Sequence, residues 1–400
     1  MKTKSLSGIK LAVLFMMTYL VSYLTRTNYG AVVVEMVSDT GYTKAALSMG
    51  LTGSFITYGL GQIFVGWLGD RIQPKKLVTL GLSVTVVMNL LMSFCTSPWQ
   101  MLIVWSLNGF AQAFMWPPIV KLMVNSFDEE NYAKTIVLVS YGSSSGTIAV
   151  FVLSPLLIAL AGWRCVFWFS AICGALMILA WNRWCVELSP TQLAAEKKQT
   201  QAGGFRMTGL FVVIMAAIVL QGALRDGVTT WTPSYISEIY KLGNGVAILS
   251  SVILPIFGMI CHTVAGWLYE KLNRNPLIGG GIMFGVSALS AAALYLVTGN
   301  QPAISVLCLA TLSGCMHGVN FMLVCMVPRF YKNTGHVSLV SGLLNSCTYV
   351  GSAVSTYGVA LMTEEVGWQP TILLWAGIAM AGAALSFLSV GTWKRKMGNQ

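Results

Sequence analysis

Acidic side chains are scarce in this chain. There are 13 Asp and Glu among 400 residues, and charged residues of both signs make up only 9%. A soluble domain carries about 25%, so a water-soluble globule, which needs a polar surface, is excluded. Histidine is nearly absent too. His262, His317 and His336 stand at no metal-ligand spacing from one another or from a cysteine. The nine cysteines are scattered without a C-x-x-C pair and read as small apolar side chains, not a disulfide or metal framework. Also missing are a phosphate-binding loop, a Gly-rich dinucleotide fingerprint and a Ser/His/Asp constellation. The expectation is therefore no enzyme, no cofactor and no metal. With no phosphate-binding loop, ATP hydrolysis is not expected of this chain.

Hydrophobic residues, 56% of the chain, fill the space. They form continuous runs without alternation, which argues for membrane helices and against an outer-membrane barrel. Charge-poor runs of spanning length fall near 9–37, 45–68, 77–95, 99–124, 135–160, 165–182, 208–238, 246–269, 277–298, 303–327, 337–362 and 369–393, twelve in all. The first follows Lys2, Lys4 and Lys10 as a signal peptide would. It is too long and lacks a small-x-small cleavage site, so it reads as an uncleaved first helix. The net charge of +11 suggests a nucleic acid until its distribution is followed. With both termini in the cytoplasm, 19 of the 24 Lys and Arg lie in cytoplasmic segments. Lys44, Arg164 and Lys241 lie outside, and Arg26 and Arg225 lie within spans. That bias is the positive-inside rule. It predicts a multi-pass protein of the cytoplasmic (inner) membrane with both termini inside, surrounded by lipid and with no nucleic acid partner. Nothing in the sequence requires a second copy, and a monomer is expected.

The polar stretch 183–207 separates two halves, predicted as an N-terminal six-helix bundle (1–182), a cytoplasmic linker and a C-terminal six-helix bundle (208–400). The halves echo each other. Gly66-Trp67-Leu68-Gly69-Asp70-Arg71 returns as Gly266-Trp267-Leu268-Tyr269-Glu270-Lys271, with Asp70 and Glu270 200 residues apart. Arg26 and Arg225 are 199 apart, and Gly162-Trp163 and Gly367-Trp368 are 205 apart. A duplicated six-helix unit places a substrate site near mid-membrane at the interface of its halves.

The two intramembrane arginines are the candidate ligand residues. An arginine at mid-bilayer depth costs roughly 2.5–3.5 kcal/mol on insertion scales. Its planar fork suits the oxygens of a phosphate or carboxylate, so an anion is the implied cargo. Asp226 is the alternative partner of Arg225. Adjacent helical side chains diverge by about 100°, which argues against neutralisation while both face one cavity, and Asp226 stands instead as a candidate for proton coupling. His317, inside the tenth span, is a candidate for substrate contact.

Gly66-x-x-x-Asp70-Arg71-x-x-x-Lys75-Lys76 resembles the loop 2–3 signature of the major facilitator superfamily, and Glu270 and Lys271 carry its echo. A gating role is expected of it, with Asp70 accepting from a neighbouring helix N-terminus and Arg71 and Lys75 reaching acids on the facing loop. Tyr23-x-x-Arg26-x-Asn28, Asn108-Gly109, Trp116-Pro117-Pro118 and Leu224-Arg225…Trp231-Thr232-Pro233-Ser234-Tyr235 resemble the organophosphate:phosphate antiporters, the carriers of glycerol 3-phosphate and hexose phosphate. The resemblance implies an all-α fold of twelve transmembrane helices and a phosphate held by Arg26 and Arg225. It also implies a cavity lined by Tyr19, Tyr23, Tyr58 and Tyr349, with Asn28 as a further ligand residue. Two positions depart from that pattern. A cavity lysine is replaced by Gln62, and a histidine by Ser143; both stay candidate ligand residues, and the seryl run at 143–145 serves equally for close helix packing. The expected function is secondary transport of a small organic anion by alternating access, preferably an organophosphate exchanged for phosphate, because two positive charges would resist reorienting empty. Proton-coupled symport of a carboxylate or sugar acid is the alternative, and a sugar-phosphate sensor comes third.

Overall fold

A computed structural model describes residues 8–42, 44–189, 205, 207–241 and 252–397. Lys2, Lys4 and most of the expected linker lie outside the described residues, as does the start of the eighth span. Among the described residues every regular element is a helix. They are α1 (Gly8–Thr40), α2 (Lys44–Gly69), α3 (Pro74–Met92), α4 (Pro98–Gln112), α5 (Trp116–Ser126), α6 (Glu129–Ala161) and α7 (Arg164–Trp184). After the linker come α8 (Gly209–Tyr240), α9 (Ile253–Lys271), α10 (Pro276–Val297), α11 (Pro302–Val319), α12 (Val337–Glu365) and α13 (Trp368–Met397). Ten of the described helices are long and apolar enough to cross a membrane. Large apolar side chains point outward on many of them, with Leu160 80%, Leu289 73% and Leu388 82% exposed. An exposed leucine is costly in water and at home in lipid.

The chain is an all-helical membrane protein of two six-helix bundles. One compact unit comprises 1–205 with 331–343, the other 206–330 with 344–400. In the first, α4 and α5 together make the fourth span, broken at Ala113–Met115. The break sits just before Trp116-Pro117-Pro118, where proline is tolerated because first-turn N–H groups have no helical acceptor. An aromatic core of Tyr29, Trp105, Trp163 and Phe167 holds this bundle, with ring centroids 5.2–6.0 Å apart along the chain of contacts. In the second unit α11 runs on into a π-helical turn (Asn320–Met326) and then a 3-10 segment (Val327–Thr334), whose last four residues belong to the first unit.

The Gly-Trp repeat has a structural meaning. Gly162 (φ 74°) and Gly367 (φ 85°) hold a left-handed turn that other residues adopt poorly. Each starts a helix with a tryptophan that reaches an acid at the end of its bundle's first helix. Trp163 Nε1 donates to Asp39 Oδ2 at 2.8 Å, and Trp368 Nε1 to Glu238 Oε2 at 2.7 Å. Asp39 also takes Arg164 Nη1 at 3.2 Å.

Residues 331–343 pack with the first bundle although sequence order places them in the second half. The cause is local. Asp70, 1% exposed, accepts from the backbone N–H of Ser338 (2.9 Å) and Leu339 (3.1 Å), the first turn of α12. A carboxylate there faces the positive end of the helix. A Cβ on Gly66 would stand 2.8 Å from Ser338 O and 3.2 Å from the Cα of Gly342, so glycine admits this approach. Lys332 Nζ adds a bond to Val124 O at 3.2 Å, and Lys121, itself buried, donates to Gly69 O at 3.0 Å.

The second half's echo of this motif behaves differently, since Glu270 and Lys271 are exposed at the end of α9. The expected acid-bridging role divides as well. Lys75 pairs with Glu187 at 3.5 Å, while Arg71 folds onto its own helix, its guanidinium 4.1 Å from the Trp67 ring and its Nη1 on Trp67 O.

Candidate functional site

Tyr19, Tyr23 and Arg26 follow at helical spacings of four and three on α1, so they share one face. The guanidinium carbon of Arg26 lies 4.3 Å from the centroid of Tyr23 and 4.7 Å from that of Tyr58 on α2. Tyr19 packs 5.2 Å from Tyr23 and 5.1 Å from Trp116 on α5, which the break in the fourth span sets in place. Guanidinium–ring contacts are worth about 0.5–2 kcal/mol each as water is excluded. They hold the guanidinium of Arg26 against the rings of Tyr23 and Tyr58.

One turn beyond Tyr58 stands Gln62. It is fully buried, and neither Oε1 nor Nε2 has a hydrogen-bond partner among the described residues. A buried amide left so costs about 1–3 kcal/mol per unsatisfied group. A ligand hydroxyl or oxyanion is the kind of partner it lacks.

Arg26 is fixed from behind by a buried polar network centred on its neighbour Thr25. Gln112 Nε2 donates to Thr25 Oγ1 at 2.9 Å, and Asn89 and Asn108 donate to Thr25 O at 3.1 and 3.2 Å. Ser22 Oγ donates to Gln112 Oε1 at 2.6 Å. Asn28 belongs to this network and not to the tyrosine face, which corrects its expected place as a ligand residue. Its Nδ2 is spent on Asn89 Oδ1 (2.7 Å) and Ser170 Oγ (2.9 Å), its Oδ1 accepts from Tyr29 N, and it is fully buried.

Ser143 lies on α6 with its hydroxyl bonded back to Ser140 O at 2.7 Å. Its neighbours Gly142 and Gly146 abut Met16, Leu20 and Tyr23, so this seryl stretch is where α6 crosses α1. Close packing by small residues is the usual membrane-helix contact.

In the second bundle the expected separation of Arg225 from Asp226 is overturned. Arg225 Nε donates to Asp226 Oδ1 at 2.7 Å and Nη2 to Oδ2 at 2.8 Å, a two-toothed ion pair between adjacent residues. The divergence of their Cβ directions is real, but the long arginine stem curls back across it. Ser352 Oγ of α12 also donates to Asp226 Oδ2, and Thr229 Oγ1 bonds the carbonyl of Arg225 at 2.7 Å. The helices meet closely there because Gly222 lies against Thr348 and Gly351 against Val219.

His317 stands on α11 with its ring 5.4 Å from that of His262 and within electrostatic reach of Arg225 and Asp226. Tyr349 lies one turn before Ser352 on α12, on the face that carries the Asp226 contact. The structure thus groups Tyr19, Tyr23, Arg26, Tyr58 and Gln62 in the first bundle, and Arg225, Asp226, His317 and Tyr349 in the second. Sequence reasoning missed Thr25, Asn89, Gln112 and Ser352. Polar residues within otherwise apolar spans were the available signal.

The sequence model of the Major Facilitator Superfamily matches residues 15–356. The membrane sensor protein UhpC of Salmonella typhimurium is 24% identical over 395 residues, covering 90% of this chain and 87% of that protein. The glycerol-3-phosphate transporter of Bacillus subtilis is 21% identical over 411 residues (93% and 90%), and a gallate transporter of Pseudomonas putida 22% over 414 (90% and 87%). Among solved structures, the proton:xylose symporter XylE superposes with a TM-score of 0.77 at 10% identity, over 98% of this chain and 96% of that one. The transporter FucP in the outward conformation does so at 0.75 and 12% identity, over 95% and 99%. These two show the fold. With the loop signature, the duplicated six-helix plan and a match over most of its length, the chain belongs to the Major Facilitator Superfamily.

Proposed function

We propose that the protein is a secondary transporter of a small organic anion, working by alternating access, with organophosphates as its first cargo class. The observation that carries this reading is a guanidinium inside a span of each bundle, at matching positions 199 residues apart, the first clasped between the rings of Tyr23 and Tyr58. Arg26 and Arg225 bind the anionic group, Gln62 bonds a cargo oxygen, and the tyrosines wall the body of the molecule. Relatives named as glycerol-3-phosphate, hexose phosphate and gallate transporters support an anionic cargo. The distribution of Lys and Arg supports the inner membrane with both termini in the cytoplasm. Phosphate exchange rested on two uncompensated charges, and Asp226 already balances one of them.

The test is counterflow into proteoliposomes of purified protein with glycerol 3-phosphate, glucose 6-phosphate, gallate and inorganic phosphate. Uptake of at least one organic anion is expected, and uptake of none overturns the reading. A sensing role is the second reading, because two relatives are named membrane sensor proteins. Net uptake by the purified protein with no partner present excludes it.

A further inference from the structure

Far apart in sequence, His262 of α9 and His317 of α11 lie side by side in the second bundle, their ring centres 5.4 Å apart and their planes at 51°. One glycine organises both. His262, only 6% exposed, holds its Nδ1 2.9 Å from Gly258 O, one turn back on its own helix. A carbonyl only accepts, so Nδ1 carries the proton and, in the neutral ring, Nε2 carries the lone pair. A Cβ on Gly258 would stand 3.0–3.4 Å from the His317 ring, so glycine admits that ring to the surface of α9. Neither Nε2 of His262 nor either ring nitrogen of His317 has a hydrogen-bond partner among the described residues.

We propose that His262 and His317 form a binding site for one divalent transition metal ion of the Zn2+ type, which bridges α9 and α11. Imidazole is a usual ligand for such ions. A ligating histidine commonly donates its other N–H to a backbone carbonyl, as His262 does to Gly258. The spacing fits as well. A metal about 2.0–2.1 Å from each ligating nitrogen lies about 3.2 Å from each ring centre, and a tetrahedral angle then sets those centres about 5.2 Å apart. The observed separation is 5.4 Å. Unpartnered imidazole nitrogens inside a bundle are costly, and one shared ion satisfies a nitrogen of each ring.

Charge does not oppose the ion. Arg225 and Asp226 of α8 are within electrostatic reach of His317, and their ion pair is neutral as a whole. No third His, Cys, Asp or Glu completes a metal group among the described residues, so water takes the remaining positions, as it does in an open site. His317 is partly exposed, which gives the ion a way in. Cys261 precedes His262, and Cys315 lies two residues before His317. Thiols are therefore the competing ligands for a soft ion, and the test separates nitrogen from sulfur. The ion site stands apart from any choice of cargo. Occupied, it ties α9 to α11 beside the Arg225–Asp226 pair.

The experiment is Zn2+ titration calorimetry of the full-length protein in detergent, purified without a polyhistidine tag, joined to X-ray absorption of the loaded protein at the zinc edge. Wild type is expected to bind one ion at this site, with two imidazoles and no sulfur in the absorption spectrum. His262→Gln and His317→Gln should each weaken binding at least about tenfold, since loss of even an outer partner of a ligand costs about 10–100-fold. His336→Gln, outside the pair, should bind as wild type does. Melting curves without metal establish that each variant is folded, and the wild-type absorption spectrum decides alone if the two ligand variants are not. No Zn2+ binding by wild type, sulfur among its ligands, or fewer than two imidazoles overturns the site. Wild-type affinity in folded His262→Gln or His317→Gln, or binding lost in folded His336→Gln, overturns it too.

Discussion

Removing the Asp70 carboxylate should loosen the first turn of α12 from the first bundle. The carboxylate accepts two backbone bonds, at 2.9 and 3.1 Å, from a position only 1% exposed. Asp70→Asn keeps one acceptor oxygen and loses the charge and the second bond. The lost charge at a helix N-terminus is worth about 0.3–2 kcal/mol, and an N–H left unpaired in a buried place about 1–3. Asp70→Asn is thus expected to cost about 2 kcal/mol and Asp70→Ala, which orphans both N–H groups, about 3–4. A domain of roughly 200 residues loses about 2–4 °C of Tm per kcal/mol, so the two variants should melt in detergent about 4–8 °C and 6–16 °C below wild type.

A cysteine reporter makes the test local. Ser338 is fully buried, so Ser338→Cys should resist a membrane-impermeant maleimide, and adding Asp70→Ala should open it. An Asp70→Ala protein that melts like wild type, with Cys at 338 still protected, would show that the contact is incidental and that 331–343 is held by something else.

Three further expectations follow from the same geometry. Gly351→Ala should destabilise the second bundle severely, because a Cβ there collides with the backbone of Val219 and Ala223 on α8; poor recovery of folded protein by size exclusion checks it, and normal recovery refutes the crossing. The Trp163 indole, followed by Arg164, holds the Asp39 carboxyl below its ordinary value. A carboxyl lowered in the folded state gives stability above its unfolded pKa, about 3.9, that is lost as pH falls through the lowered value. Trp163→Phe should therefore weaken the acid dependence of Tm below about pH 5, and an unchanged profile contradicts the assignment. Burial pushes the Cys185 thiol up to about 12, so maleimide labelling of Cys185 at neutral pH should be far slower in folded than in denatured protein. Equal rates would contradict its burial.

Much of the fold was legible because a bilayer leaves few options. Continuous apolar runs, the bias of Lys and Arg and the paired landmarks together specify a duplicated helical bundle. The role of Gly-Trp was legible only as a repeat. Its partners Asp39 and Glu238 lie at the far ends of other helices, and no local pattern pairs them. The site divided along the same line. Arg26 and Arg225 stood out because charge inside a span is costly. Asn28 was misplaced because sequence gives a helical position but not which of two polar faces it joins. Asp226 was misjudged because Cβ directions were allowed to decide what a long arginine stem can reach. The network around Thr25 and the seat of residues 331–343 depend on contacts between distant segments, to which periodicity is blind.

The central claim is that Arg26 and Arg225 hold the cargo anion, and binding affinity tests it most directly. The measurement is titration calorimetry of the best-transported anion against wild type, Arg26→Lys and Arg225→Lys. Lysine keeps the charge and loses the fork, removing a charge-assisted hydrogen bond worth about 1.5–3 kcal/mol. The account predicts binding weaker by about 10- to 100-fold in each variant, with the folded state retained in melting curves. Wild-type affinity in both variants, with the proteins folded, would contradict it.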